Sequence, residues 1–77
     1  MTDVLFPPLS KETPYAEGVL TTWFVGEGSP VLADQLIAEV QVDKVSAEVH
    51  APTGGTVHLL VQEEDTVRQG APIARIE

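Results

Sequence analysis

The chain has 77 residues, 43% of them hydrophobic, with four Lys or Arg, twelve Asp or Glu and no cysteine. That length allows one domain with a modest core, and the missing cysteines exclude a disulfide scaffold or a thiolate zinc site. A formal net charge of −8 argues against nucleic acid or anionic lipid as a partner, and no apolar run nears the ~20 residues of a membrane span. Met1-Thr2-Asp3-Val4 is not the basic start of a signal peptide, so the expectation is a soluble intracellular single domain.

Val, Ile and Thr total 21 residues against seven Ala and seven Leu, a β-branched bias that favours strands. Six Gly and six Pro cut the chain into segments mostly too short for helices, and short strands with regular turn signals predict a small sandwich or barrel. In chain order, Pro7-Pro8 and Pro14 flank a polar loop, Ser10-Lys11-Glu12-Thr13. From Gly18 the pattern reads as a strand, an acidic turn at Gly26-Glu27-Gly28, a short strand around Val31, a second turn and a strand ending near Gln41.

Residues 31–51 contain no Gly or Pro. Leu36, Val40, Lys44 and Ala47 would fit one helical face, but a hairpin with a two-residue turn at Asp43-Lys44 explains more. Paired residue numbers then sum to 87: Val42 faces Val45, Val40 faces Ala47, Ala38 faces Val49 and Leu36 faces Ala51. Those pairs are all apolar, while Gln41/Ser46 and Glu39/Glu48 form a wetted face. Asp-Lys lacks the glycine of a primed turn, so a type I turn is expected at the tip.

The remainder repeats the first pattern. Residues 18–41 align without a gap on 54–77, and six of the 24 pairs are identical: Gly18/Gly54, Val25/Val61, Glu27/Glu63, Val31/Val67, Ile37/Ile73 and Ala38/Ala74. Two equivalent halves closing one core relieve the edge-strand problem of a small β domain. The expected interior includes Val40, Val49, Val57, Leu59, Val61, Ile73 and Ile76.

Between the halves, Lys44 stands at the hairpin tip; the only other lysine is Lys11, in the polar loop. An ammonium held out on a stiff turn suits an enzyme that must acylate one lysine and ignore the other, although most exposed lysines only solubilise their surroundings. Other candidates are weaker. Glu48 and His50, with His58 beyond, are three potential zinc ligands at strand spacing, and read better as surface groups. Glu63-Glu64-Asp65 lacks the spaced oxygen ligands of a calcium loop. Gly54-Gly55 lacks the Lys-Ser/Thr of a phosphate loop, and Trp23 reads as a packing residue because its repeat partner is Leu59.

Taken together, several spaced motifs resemble the lipoyl-attachment (biotinyl/lipoyl) domains of 2-oxo acid dehydrogenase acyltransferases. They are Phe6-Pro7-Pro8-Leu9, Glu17-Gly18-Val19-Leu20-Thr21-Thr22-Trp23, Val25-Gly26-Glu27-Gly28-Ser29-Pro30-Val31, Asp43-Lys44-Val45 and Ala51-Pro52-Thr53-Gly54-Gly55-Thr56-Val57. Departures from the family pattern are Gln41-Val42 for Glu-Thr, Ala33-Asp34 and Glu64-Asp65 for Gly-Asp, and a longer loop over residues 10–16. The resemblance implies an all-β flattened barrel or sandwich of two four-stranded antiparallel sheets with quasi-twofold symmetry. It implies a single monomeric carrier domain over 1–77, with half-repeats 18–41 and 54–77 and the lysine hairpin at 36–51.

The same resemblance implies lipoic acid joined by an amide to Lys44, with Asp43 and Val45 as flanking recognition residues. Such a domain is non-catalytic by itself and part of a dihydrolipoamide acyltransferase. Its arm shuttles acyl groups and reducing equivalents among a thiamin-dependent 2-oxo acid decarboxylase, the acyltransferase core and dihydrolipoyl dehydrogenase, after a lipoate ligase or lipoyl transferase has loaded it. The implied location is the cytoplasm, or the mitochondrial matrix in a eukaryote. Biotin carriers resemble the same pattern but flank their lysine with Met, whereas here the neighbours are Asp43 and Val45. The further alternative is an unmodified β interaction module.

Overall fold

Alternating apolar residues set the register of the central hairpin. A computed structural model describes residues 1–8 and 16–77; the loop readings on Ser10, Lys11, Glu12, Thr13, Pro14 and Tyr15, and Leu9 of the opening motif, lie outside them. Strand β4 (Leu36–Val42) pairs antiparallel with β5 (Val45–His50), with Val42 opposite Val45, Val40 opposite Ala47 and Ala38 opposite Val49. The expected Leu36/Ala51 pair is replaced by Leu36/His50, because the register slips between Leu36 and Ala38. Ile37 is the extra residue of this bulge, and the local bend lets adjacent Ile37 and Ala38 both point inward, each fully buried.

The remaining strands are β1 (Thr2–Leu5), β2 (Glu17–Trp23), β3 (Pro30–Val31), β6 (Gly55–Leu59), β7 (Thr66–Arg68) and β8 (Pro72–Ile76). They form two four-stranded sheets, ordered β1-β8-β6-β3 and β5-β4-β2-β7. All pairings are antiparallel, and the described residues contain no helix. The sheets stack as a flattened sandwich and do not close into a barrel.

One sheet reproduces the other strand for strand. Val4 pairs with Ala74 as Val49 pairs with Ala38, and Leu5 pairs with Pro72 as His50 pairs with Leu36. Ile73 therefore repeats the bulge of Ile37, and it too is fully buried. The gapless alignment fails in one place. Leu20 N–H donates to Asp65 O as Val57 N–H donates to Ser29 O, so Gly18 is matched in space by Gly55 and not by Gly54. The extra residue in β2 is Thr21, where the register slips between Leu20 and Thr22. Its hydroxyl donates to Glu39 O at 2.9 Å, inside the disturbed ladder. At both matched positions only glycine fits: a Cβ on Gly18 would overlap the Phe6 ring, and one on Gly55, where φ is +151°, would overlap the Glu77 carbonyl.

The repeated Glu27 and Glu63 have a shared role. Glu27 Oε1 accepts the Leu59 N–H at 2.7 Å and Glu63 Oε2 accepts the Trp23 N–H at 2.9 Å. Each half thus satisfies a strand-end donor of the other. Between the sheets lie Phe6, Leu20, Ile37, Val40, Val42, Val57, Ile73 and Ile76, all essentially inaccessible. Leu59 and Val61 pack half-buried at the margin. No charged or polar side chain among the described residues is fully buried, so apolar burial and the backbone ladders hold the sandwich together.

Candidate functional site

The sandwich is rigid beneath the β4–β5 turn. Val42 is buried at 2% exposure, and β4 is hydrogen-bonded on both sides, to β5 and to β2. From this base Asp43 and Lys44 form the two-residue turn, both exposed. The expected type I turn is not what forms. Asp43 has φ of +54° while Lys44 is not in the positive-φ region, whereas both central residues of a type I turn have negative φ. Aspartate tolerates the left-handed region better than most residues, which is how the turn closes without glycine.

Gln41 supports the turn from the strand below, its Nε2 donating to Asp43 O at 3.0 Å. Val45 follows on the inward-facing side of β5 but overhangs the end of the core and stays 52% exposed. Asp43, Lys44 and Val45 thus form one small surface: a cationic amine flanked by a carboxylate and an aliphatic group on a stiff support. Such a site leaves a primary amine open to solvent at the end of the sheet. Among the described residues no group of three or more His, Cys, Asp or Glu is placed to hold a metal ion.

The remaining polar candidates do other work. His58 and His50 stand on different sheets. His58 Nδ1 lies 2.6 Å from Glu27 Oε2, and its Nε2 makes a 3.2 Å ion contact with Glu77 Oε2 without aligning as a hydrogen bond. The hydrogen bond with Glu27, reinforced by Glu77, raises the His58 pKa above its ordinary value. The Leu59 N–H and then His58 lower that of Glu27. In the Glu63-Glu64-Asp65 run, Asp65 Oδ2 accepts the Gln62 N–H at 2.9 Å, so these acids hold their turn. Trp23 is half-buried against the core and donates Nε1–H to Val61 O at 3.0 Å. Sequence reasoning marks Gln41 as a wetted partner of Ser46 and, with Val42, as a departure from the family pattern that bears on turn geometry, but it missed the bond to Asp43 O; an amide two residues before a tip aspartate was the available signal.

A displayed lysine on a twofold-repeated β sandwich matches a known family over nearly the whole chain. Residues 3–76 fit the sequence model of the biotin/lipoyl family, described as "Biotin-requiring enzyme". The chain belongs to the biotin/lipoyl attachment family. Among curated members it is 43% identical, over 97% of its length, to the dihydrolipoyllysine-residue acetyltransferase component of the pyruvate dehydrogenase complex of Corynebacterium glutamicum. It is 36% identical, again over 97%, to the dihydrolipoyllysine-residue succinyltransferase component of the 2-oxoglutarate dehydrogenase complex of Cupriavidus necator. It spans 11% and 18% of those relatives' lengths. The solution structure of the lipoyl domain of the Azotobacter vinelandii 2-oxoglutarate dehydrogenase complex superposes with a TM-score of 0.78 at 30% identity, covering 99% of this chain and 96% of that one.

Proposed function

We propose that residues 1–77 form one lipoyl carrier domain and that Lys44 Nζ is its attachment point. The observation that carries this reading is the placement of an exposed lysine on a two-residue turn at the end of a strand paired on both sides. The family alone admits biotin or lipoate. The names of the relatives and the Asp43 and Val45 neighbours favour lipoate. The fit is chemical as well: an exposed primary amine with no ion-pair partner among the described contacts is free to form an amide with the lipoyl carboxyl, losing its charge. When bound, the group supplies a dithiolane able to carry acyl groups and reducing equivalents.

The protein's own contribution is positional. The sheet keeps Lys44 away from the core, Asp43 and Val45 give a ligase and a client enzyme something to recognise, and tethering raises the effective concentration of whatever the arm carries. We assign the domain to an acyltransferase component that works with a thiamin-dependent 2-oxo acid decarboxylase, an acyltransferase core and dihydrolipoyl dehydrogenase. Intact mass after separate incubation with lipoate ligase plus lipoate, and with biotin ligase plus biotin, each with ATP, tests the choice of group. A single lipoyl adduct and no biotinyl adduct is expected; the reverse pattern, or no adduct from either, would overturn the reading.

A further inference from the structure

The turn contains one backbone unit that the strand ladder does not hold. Val42 and Val45 are fixed as opposed partners, but the peptide joining Asp43 to Lys44 spans the gap between them. Rotating the central peptide of a turn changes ψ of the first central residue and φ of the second while leaving the flanking strands in place; turn types differ by such rotations. Here the rotation would change φ of Lys44 and turn its Cα–Cβ bond relative to the sheet. The carbonyl of that same peptide is the one that accepts the Gln41 amide at 3.0 Å. Gln41 itself sits in the ladder between Ser46 on β5 and Val19 on β2, so its backbone cannot follow the turn. Asp43, with φ of +54°, is in a region aspartate tolerates but does not prefer, and a second restraint on its carbonyl selects one turn conformation from those close in energy.

We propose that Gln41 is a positioning residue for lysine modification: its side-chain amide selects the orientation of the Asp43–Lys44 peptide and so the direction in which Lys44 is presented. The proposal rests on the carrier reading for its consequence, but its structural part stands independently. What matters is a donor at the end of the side chain. Gln41→Met removes the donor at similar length without adding charge, and Gln41→Arg restores one. Neither touches the core, because Gln41 is exposed.

The experiment has two readouts on the parent and both variants. The first is the three-bond HN–Hα coupling of Lys44 in unmodified protein, which reports φ directly. The second is the initial rate of Lys44 labelling by lipoate ligase with ATP and lipoate, with kcat and KM determined separately. Parent and Gln41→Arg should share one coupling. Gln41→Met should show a shifted, averaged coupling and a kcat/KM lower by roughly two- to tenfold, the range that loss of one modest hydrogen bond produces in a conformational equilibrium, with an unchanged thermal midpoint. An unshifted coupling in Gln41→Met, or an equal loss of rate in Gln41→Arg, would overturn the proposal. Failure of the parent to be labelled would count against the carrier reading, and the coupling would still decide whether Gln41 sets the turn.

Discussion

Where β4 runs through Asp43-Lys44 into β5, the equivalent strands of the other sheet, β8 and β1, are last and first in the chain and no turn joins them. The two pairings nevertheless agree in register and bulge: Ile76 opposite Thr2 corresponds to Val40 opposite Ala47, and each pair of strands slips at the same place. The sandwich therefore forms this pairing with or without a connecting turn, guided by the buried faces of the strands. The turn on the hairpin side is released from any duty to the core. Its residues are free of that constraint, which explains how a left-handed aspartate and an exposed valine are accommodated beside a lysine.

If the two sheets are energetically equivalent, matched substitutions must give matched costs. Ile37→Ala and Ile73→Ala empty the two equivalent bulge sites, both fully buried, and each should lower unfolding stability by about 2–5 kcal/mol. Chemical denaturation measures both. A difference of more than about 2 kcal/mol between them would break the equivalence, since that exceeds half the range for such truncations.

The glutamate clasps are matched in one bond and unmatched in another. Glu27 and Glu63 each accept a strand-end N–H, but only Glu27 also holds His58. Glu27→Ala should therefore lower the thermal midpoint more than Glu63→Ala, and equal losses would show that the His58 contact contributes nothing.

The same asymmetry sets a pH dependence. The pKa of His58 is raised by the hydrogen bond to Glu27 and then by Glu77, so its contribution is full below the unfolded value, near 6.5, and is lost as pH rises through the folded value. Glu27 is lowered by the Leu59 N–H and then His58, so its contribution is present above its ordinary value of 4.5 and is lost as pH falls through the folded value. The cluster is at full strength between those limits, with Arg75 opposite His58 across the strands and paired with Asp3. His58→Thr installs the residue type of the equivalent position, Thr22. It should remove the part of the midpoint decline that lies above pH 6.5, whereas an unaltered decline would assign it to other groups.

The smallest expected effect concerns two equivalent turns. Gly28 has φ of +79° and Glu64, its counterpart, has φ of +71°. The left-handed region costs a long side chain about 1–2 kcal/mol, and glycine returns part of that through unfolded-state entropy. Glu64→Gly should stabilise the domain by up to about 1 kcal/mol, measured by denaturant midpoint, and a loss of stability would contradict the equivalence of the two turns.

Much of this was legible in the sequence because one face of each strand is buried and the side-chain period is two. Val40, Val49, Val57, Ile73 and Ile76 could be placed inside on that basis, and the register that puts Asp43-Lys44 at a tip follows from the same alternation. The apolar doublets Ile37-Ala38 and Ile73-Ala74 break the period, so the bulges and the Leu36/His50 pairing were not readable. Thr21 was hidden for a related reason: one inserted residue in β2 left Gly18 aligned with the wrong one of two adjacent glycines. The tip lysine was visible, but its turn conformation was not, since the Gln41 bond depends on the orientation of a peptide that the strand pattern does not constrain. The reciprocal glutamates were visible as identities and silent as to purpose, because each acts across the halves.

On the carrier reading, Lys44 is modified because of where the hairpin puts it. Exchanging the two turn residues, Asp43→Lys with Lys44→Asp, keeps the composition and charge and moves the amine by one position. Parent and exchanged protein, confirmed to unfold at similar denaturant midpoints, would be treated with lipoate ligase, ATP and lipoate and mapped by peptide mass. Lipoyl is expected on Lys44 of the parent, none on Lys11, with loss of most labelling in the exchanged protein. Undiminished labelling at position 43, or lipoyl on Lys11, would contradict it.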